Sequence, residues 1–223
     1  MPVDLTFNFE EFTQECRCLP VALQPGTGLE SLYDDCEALL ELHHPERVSL
    51  LDCKAGCGSC CIVNVSVLLP EALSIIEYLE AQSWHVSKDF LANLDRIWPR
   101  ICGVDAEERL SMRQSCVFLD ETGSCSIYPV RPLLCRGVTS TSSESCKQAL
   151  NINCFEAKSS VEMNLFQRDL FDAAYIGLSE GLEEQGVDGR GFELTGLVRY
   201  LLRNPQRRAD LQSGLRLNWS ELI

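Results

Sequence analysis

Cys53, Cys57, Cys60 and Cys61 place four thiols within nine residues, and Cys116, Cys125 and Cys135 follow. A thiolate is a soft, negative ligand suited to zinc and to iron–sulfur clusters. Short spacings such as Cys53-x3-Cys57-x2-Cys60 let one loop supply several ligands without straining the backbone. The distant thiols then close the shell. The pattern points to metal and leaves its identity open between an iron–sulfur cluster and Zn2+. Cys146 brings the candidate ligands to eight, enough for two four-thiolate sites or for one cluster with spare redox-active thiols. Adjacent Cys60 and Cys61 do not readily point both sulfurs at one small ion. One of them is therefore expected to be buried or to serve a second metal.

Arg131 and Arg136 bracket Cys135 and are the candidate cofactor-binding side chains, placed to tune a cluster's potential or to hold an anion. A guanidinium in such a place also offsets thiolate charge and bonds backbone carbonyls, and this structural role is the favoured one. Pro132 fixes the chain's direction towards Cys135. Tyr128 is expected to pack against its own loop. Three histidines in the chain leave no Ser/His/Asp or Cys/His grouping to assemble, so no catalytic residue is assigned. His43 and His44 read as cationic character near a helix end, and His85 as a surface or capping residue. Cys16 and Cys18 read as ordinary free cysteines, and Cys36 as a small core residue.

Together, Cys53-x3-Cys57-x2-Cys60-Cys61, Cys116-Val-Phe-Leu119, Gly123-Ser-Cys125-Ser-Ile-Tyr128 and Arg131-Pro132-Leu-Leu-Cys135-Arg136 resemble the CxxCxxCC cysteine-cluster family, the YkgJ-like zinc- or iron-chelating domain. The resemblance covers residues 50–140, more loosely the tail with Tyr175, Gly177, Leu178 and the Glu193-Leu194 segment, and implies metal binding without a fixed reaction. A relative similar in its cysteine motif, the flagellin lysine N-methylase, implies an alternative: an iron–sulfur-dependent protein-modifying enzyme working with S-adenosylmethionine. No glycine-rich strand-to-helix loop is present for that cofactor. The Cys53, Cys57, Cys60 spacing also fits the radical-type pattern, but no barrel-length α/β pattern surrounds it. A third reading is a structural-zinc interaction module.

Composition bounds these readings. A chain of 223 residues with 45% hydrophobic content can bury a sizeable core. Thirteen cysteines, an odd number, follow a start (Met1–Leu5) with no basic, apolar signal pattern. Metal in a reducing, cytoplasmic setting is therefore expected over a disulfide scaffold. No apolar run approaches membrane-span length. The net charge of −14 opposes nucleic-acid binding, which relies on Lys and Arg neutralising phosphates. Residues 1–52 hold eleven Asp/Glu against Arg17 and Arg47. That is a solvated acidic face, or a docking surface for a basic protein partner.

The elements that must position these thiols are mainly helical, in a single domain with a cysteine-rich metal-binding loop and a short β-hairpin. Residues 1–50 are expected to form an acidic extension with one helix, preceded by an irregular lead-in over 1–26. Residues 51–155 form the cysteine-cluster core and 156–223 the C-terminal helices packed on it. Leu29, Leu32, Cys36, Leu39 and Leu42 mark a helical face. Ile62–Val67 reads as a short strand, and helices are expected from Leu69, over 87–101, 105–114, 161–184 and 193–202, and after Pro205. Cys116–Leu119 and Cys125–Tyr128 flank Asp120-Glu-Thr-Gly-Ser124 as a hairpin with a glycine turn. A polar loop is expected over 137–145.

Overall fold

Helix α9, Leu165–Glu184, is the spine of the molecule. Asn164 caps it by accepting the Gln167 N–H at 3.0 Å. Its repeating Leu170, Phe171, Ala174, Leu178 and Leu182 are buried, each large side chain contributing roughly 1.5–3 kcal/mol of transfer free energy. The computed structural model describes residues 7–19, 29–82, 87–149 and 161–223; His85 lies outside these.

Helix α1, Phe9–Arg17, lies along α9. Asn8 accepts the Glu10 and Glu11 N–H groups, and Phe12 and Cys16 turn inward. The two backbones approach so closely that a Cβ on Gly177 would run into the Thr13 carbonyl, and one on Gly181 into that of Arg17. Helix α2, Leu29–His43, also packs on α9, and a single turn, α3, follows at Arg47–Leu50. Among the described residues of the N-terminal fifty there are thus three helical segments where one was expected, and α1 lies within the expected irregular lead-in. Nine residues are too few for a helix stable in isolation, so α1 exists through its contact with α9, more than 150 positions away. His43 and His44 stack on Phe166, with ring centroids 5.3 and 4.7 Å away.

A second packing layer joins α4 (Leu69–Ala81), α5 (Lys88–Ile101) and α10 (Leu194–Arg203). Pro70 sits in the first turn of α4, where its missing N–H costs nothing. Ser87 caps α5 and Glu193 caps α10. Pro99 falls in the last turn of α5, which still runs to Ile101. Helix α6, Ala106–Met112, opens with a reciprocal Asp105–Glu108 cap. Helix α11, Arg207–Gln212, and a 3-10 turn at Trp219–Glu221 close the chain. Among the described residues no helix is long and apolar enough to cross a membrane.

The strand expected over 62–67 shortens to β1, Ser66–Val67, paired antiparallel with β2, Phe192–Glu193. Among the described residues the fold is mainly α, with this small two-stranded sheet. The hairpin over 116–128 takes the form of a loop closed by a single antiparallel bridge, Leu119 to Cys125. Its turn forms as expected, with Gly123 at φ +79° and the Asp120 carboxylate accepting the Thr122 and Ser124 N–H groups. The arms cannot extend into strands because their backbone groups are engaged elsewhere. Cys116 donates to the Cys61 carbonyl at 2.7 Å, and Tyr128–Val130 winds into a 3-10 turn. The polar loop expected over 137–145 is interrupted by α7 (Leu133–Gly137) and α8 (Ser143–Ala149).

Candidate metal centre

All seven motif cysteines line one cavity of about 450 Å³. The first four come from an irregular loop in which Gly56, at φ +83°, allows a bend that a side chain would resist. This loop and the bridged loop meet tip to tip: a Cβ on Gly123 would stand 2.9 Å from the Gly56 carbonyl. The base of the same pairing is the Cys116 N–H to Cys61 carbonyl bond. On the other side, Asp52 N–H donates to Ser140 O at 3.0 Å, and Ser143 N–H to the Asp52 carboxylate at 2.8 Å. Ser140 N–H then points at Cys53 Sγ, 3.2 Å away. Cys135 rides on α7, whose packing against α9 fixes its height in the wall.

The thiols are not equivalent. Cys60 and Cys61 both line the cavity, neither is fully buried, and the two thiols share a hydrogen bond. That bond holds the Cys60 thiol down to about 6, with Arg131 also favouring its thiolate, and pushes Cys61 up. Burial pushes Cys116 up to about 12 and raises Cys53, Cys125 and Cys135. Thiols raised in this way give up protons to something that compensates the charge, which is what a metal does. Among the described residues no three Cys, His, Asp or Glu side chains stand close enough to hold one ion as placed. The fit therefore rests on donor chemistry and on a shared cavity, with the final approach left to side-chain rotation.

Cys146, on α8, and Arg136 lie outside the cavity wall, although Cys146 is near enough to Cys53 to act on its thiol electrostatically. Arg136 donates to the carbonyls of Arg131 (2.9 Å) and Pro129 (2.8 Å) and stacks 4.0 Å from the Tyr33 ring. Arg131 does line the cavity, its guanidinium 4.4 Å from the Tyr128 ring centroid, and its buried Nε has no partner. Cys16 and Cys36 are buried among helices, and Cys102 ends α5, away from the cavity.

Arg109, Thr139 and Gln167 also line the wall with no motif to reveal them, and Glu193 joins them from the loosely matched tail. The Asp105-x-x-Glu108 cap marks the start of α6 and so places Arg109 on a helix; nothing in the sequence says which side it faces. Glu193, half-buried, caps α10 by accepting Gly196 N–H at 2.8 Å, and its partial burial raises its carboxyl.

Comparison with known proteins agrees with the site. Residues 52–156 match the CxxCxxCC family model. Its description reads "putative zinc- or iron-chelating domain". The CxxCxxCC segment thus begins one residue before Cys53 and takes in every cavity-lining cysteine. Glu193 and Gln167 of the wall lie beyond its end. No curated protein and no solved structure matches the chain.

Proposed function

We propose that this chain is a thiolate metal protein of the cytosol whose cavity holds an iron–sulfur cluster, ligated from among Cys53, Cys57, Cys60, Cys61, Cys116, Cys125 and Cys135. The observation that carries the reading is the convergence of seven thiols from three separate segments on one cavity. The family match supports zinc or iron. Iron–sulfur is favoured because a structural zinc site is satisfied by four ligands and closes around the ion, whereas here more thiols than four share an open space. A bound cluster would supply electron transfer.

The chain's own contribution is positional. Gly56 and Gly123 let the two cysteine loops meet, the Ser140 N–H orients Cys53, and Arg131 offsets thiolate charge near Cys60. Elemental analysis with an absorption spectrum, on protein purified without air, tests the reading. Iron with acid-labile sulfide and a brown charge-transfer band is the expected result. Stoichiometric zinc in colourless protein would replace the cluster with a structural site.

A further inference from the structure

The cavity, about 450 Å³, falls in the range of small-molecule pockets, which begin at roughly 300 Å³. The wall is also polar in an unusual way. Buried polar atoms normally find partners. Yet Arg109 Nε, Arg131 Nε, Thr139 Oγ1, Gln167 Oε1 and Asn64 Oδ1 have none, and all five residues line this cavity.

Three of these side chains are almost wholly buried: Arg109 at 2%, Gln167 at 5% and Thr139 at 6% exposure. Gln167, Asn64 and Arg109 are oriented by the bonds they do make. Gln167 Nε2 donates to the Arg136 carbonyl at 2.8 Å, which leaves its oxygen free. Asn64 Nδ2 likewise donates to Val104 O at 2.9 Å. Arg109 Nη1 donates to the Gln114 carbonyl. Glu193 lies near Arg109, but its carboxylate is taken up by Gly196 N–H and the Thr195 hydroxyl. Among the described residues neither Arg109 nor Arg131 forms an ion pair, in a protein of net charge −14. The polar atoms without a partner are thus two guanidinium Nε donors, one hydroxyl and two amide oxygens.

We propose that the cavity takes, beside the metal, a small organic carboxylate that also carries a hydroxyl or amino group. The guanidinium of Arg131 is its anchor, Thr139 adds a donor, and Gln167 Oε1 accepts from the ligand's hydroxyl or amine. This rests on the thiolate reading only in that the two occupants share one space.

Calorimetry on the full-length, anaerobically purified protein tests it, with L-malate and L-glutamate as probes and malamide as the uncharged control. Saturable binding of at least one probe at millimolar concentration or below is expected, with none for malamide. Arg131→Gln should weaken it roughly tenfold or more, the loss of a charge-assisted hydrogen bond. Thr139→Val, which keeps the side chain's shape, should weaken it severalfold and decides the matter if Arg131→Gln does not fold. Absence of binding by both probes, or binding unaltered in Thr139→Val and Arg131→Gln, overturns the proposal. Metal content and spectrum are recorded for every sample. Metal without probe binding sinks the carboxylate site alone; Arg131-dependent binding in protein without metal sinks the cluster reading alone.

Discussion

Glu71 reaches across the fold to Leu133: its Oε1 accepts the Leu133 N–H at 2.7 Å, while Oε2 accepts the Leu68 N–H at 2.8 Å. One carboxylate with no solvent exposure therefore caps α4 and ties down the start of α7, two residues before Cys135. Glu71→Ala would leave two buried donors unsatisfied, at about 1–3 kcal/mol each. A loss of roughly 2–6 kcal/mol in urea unfolding is expected, together with loss of bound metal.

The same carboxyl makes stability depend on pH. Burial raises Glu71 from an ordinary 4.5 to about 7, against the pull of its two backbone bonds and Arg136. A raised carboxyl means the folded state keeps a proton that the unfolded chain releases above 4.5. Glu71's contribution to stability therefore falls as pH rises from 4.5 to 7, and the full penalty, on the order of 3 kcal/mol, stands above 7. Urea unfolding of wild type and Glu71→Gln at pH 5 and pH 8 checks this. The wild type should lose stability relative to the variant at the higher pH; a constant difference would dismiss the effect.

Cys57→Ser and Cys125→Ser should each strip metal, whereas Cys36→Ala, buried among helices away from the cavity, should retain it. Metal analysis of the three purified variants reads this directly. Full metal retention in both serine variants would refute the ligand assignment.

Thiol reactivity offers an independent check on the loop. In chelator-treated protein, Cys60 should be the fastest of the cavity thiols to alkylate, its rate rising through pH 6 as the thiolate forms. Cys116, half-buried and pushed up to about 12, should react far more slowly in the folded state. Peptide mapping after brief iodoacetamide treatment would show the order.

Gly177→Ala should force α1 off α9, because the new Cβ has the Thr13 carbonyl in its path. Overpacking of this kind costs about 1–3 kcal/mol. Faster proteolysis within residues 7–19 should accompany the loss, with α5 and α10 unaffected.

Much of this was legible in the sequence, and the division has a physical basis. Helices with long apolar stripes, such as α2, α4 and α9, announce themselves because their periodicity is local. The thiols announce themselves because metal ligation demands their type and spacing. What escaped was set by distant partners. Helix α1 needs the Gly177–Gly181 face of α9, and β1 needs Phe192–Glu193. The bridged loop shows the same limit: its turn chemistry is local and correct, but the bond from Cys116 to Cys61 decides how far its arms pair. Arg109, Thr139 and Gln167 carry no motif at all. Only the folded chain brings them to one wall.

The packing of α1 on α9 has a consequence for the order of assembly. The helix that leads the described chain and the helix that cradles α7 are separated by the entire cysteine segment. During synthesis all the cavity thiols emerge before their scaffold exists, and contacts so distant in sequence form late. Metal delivered to the growing chain would meet loose thiols free to bind in wrong combinations. The cavity is therefore complete only once α9, which follows every cavity thiol in the chain, is in place.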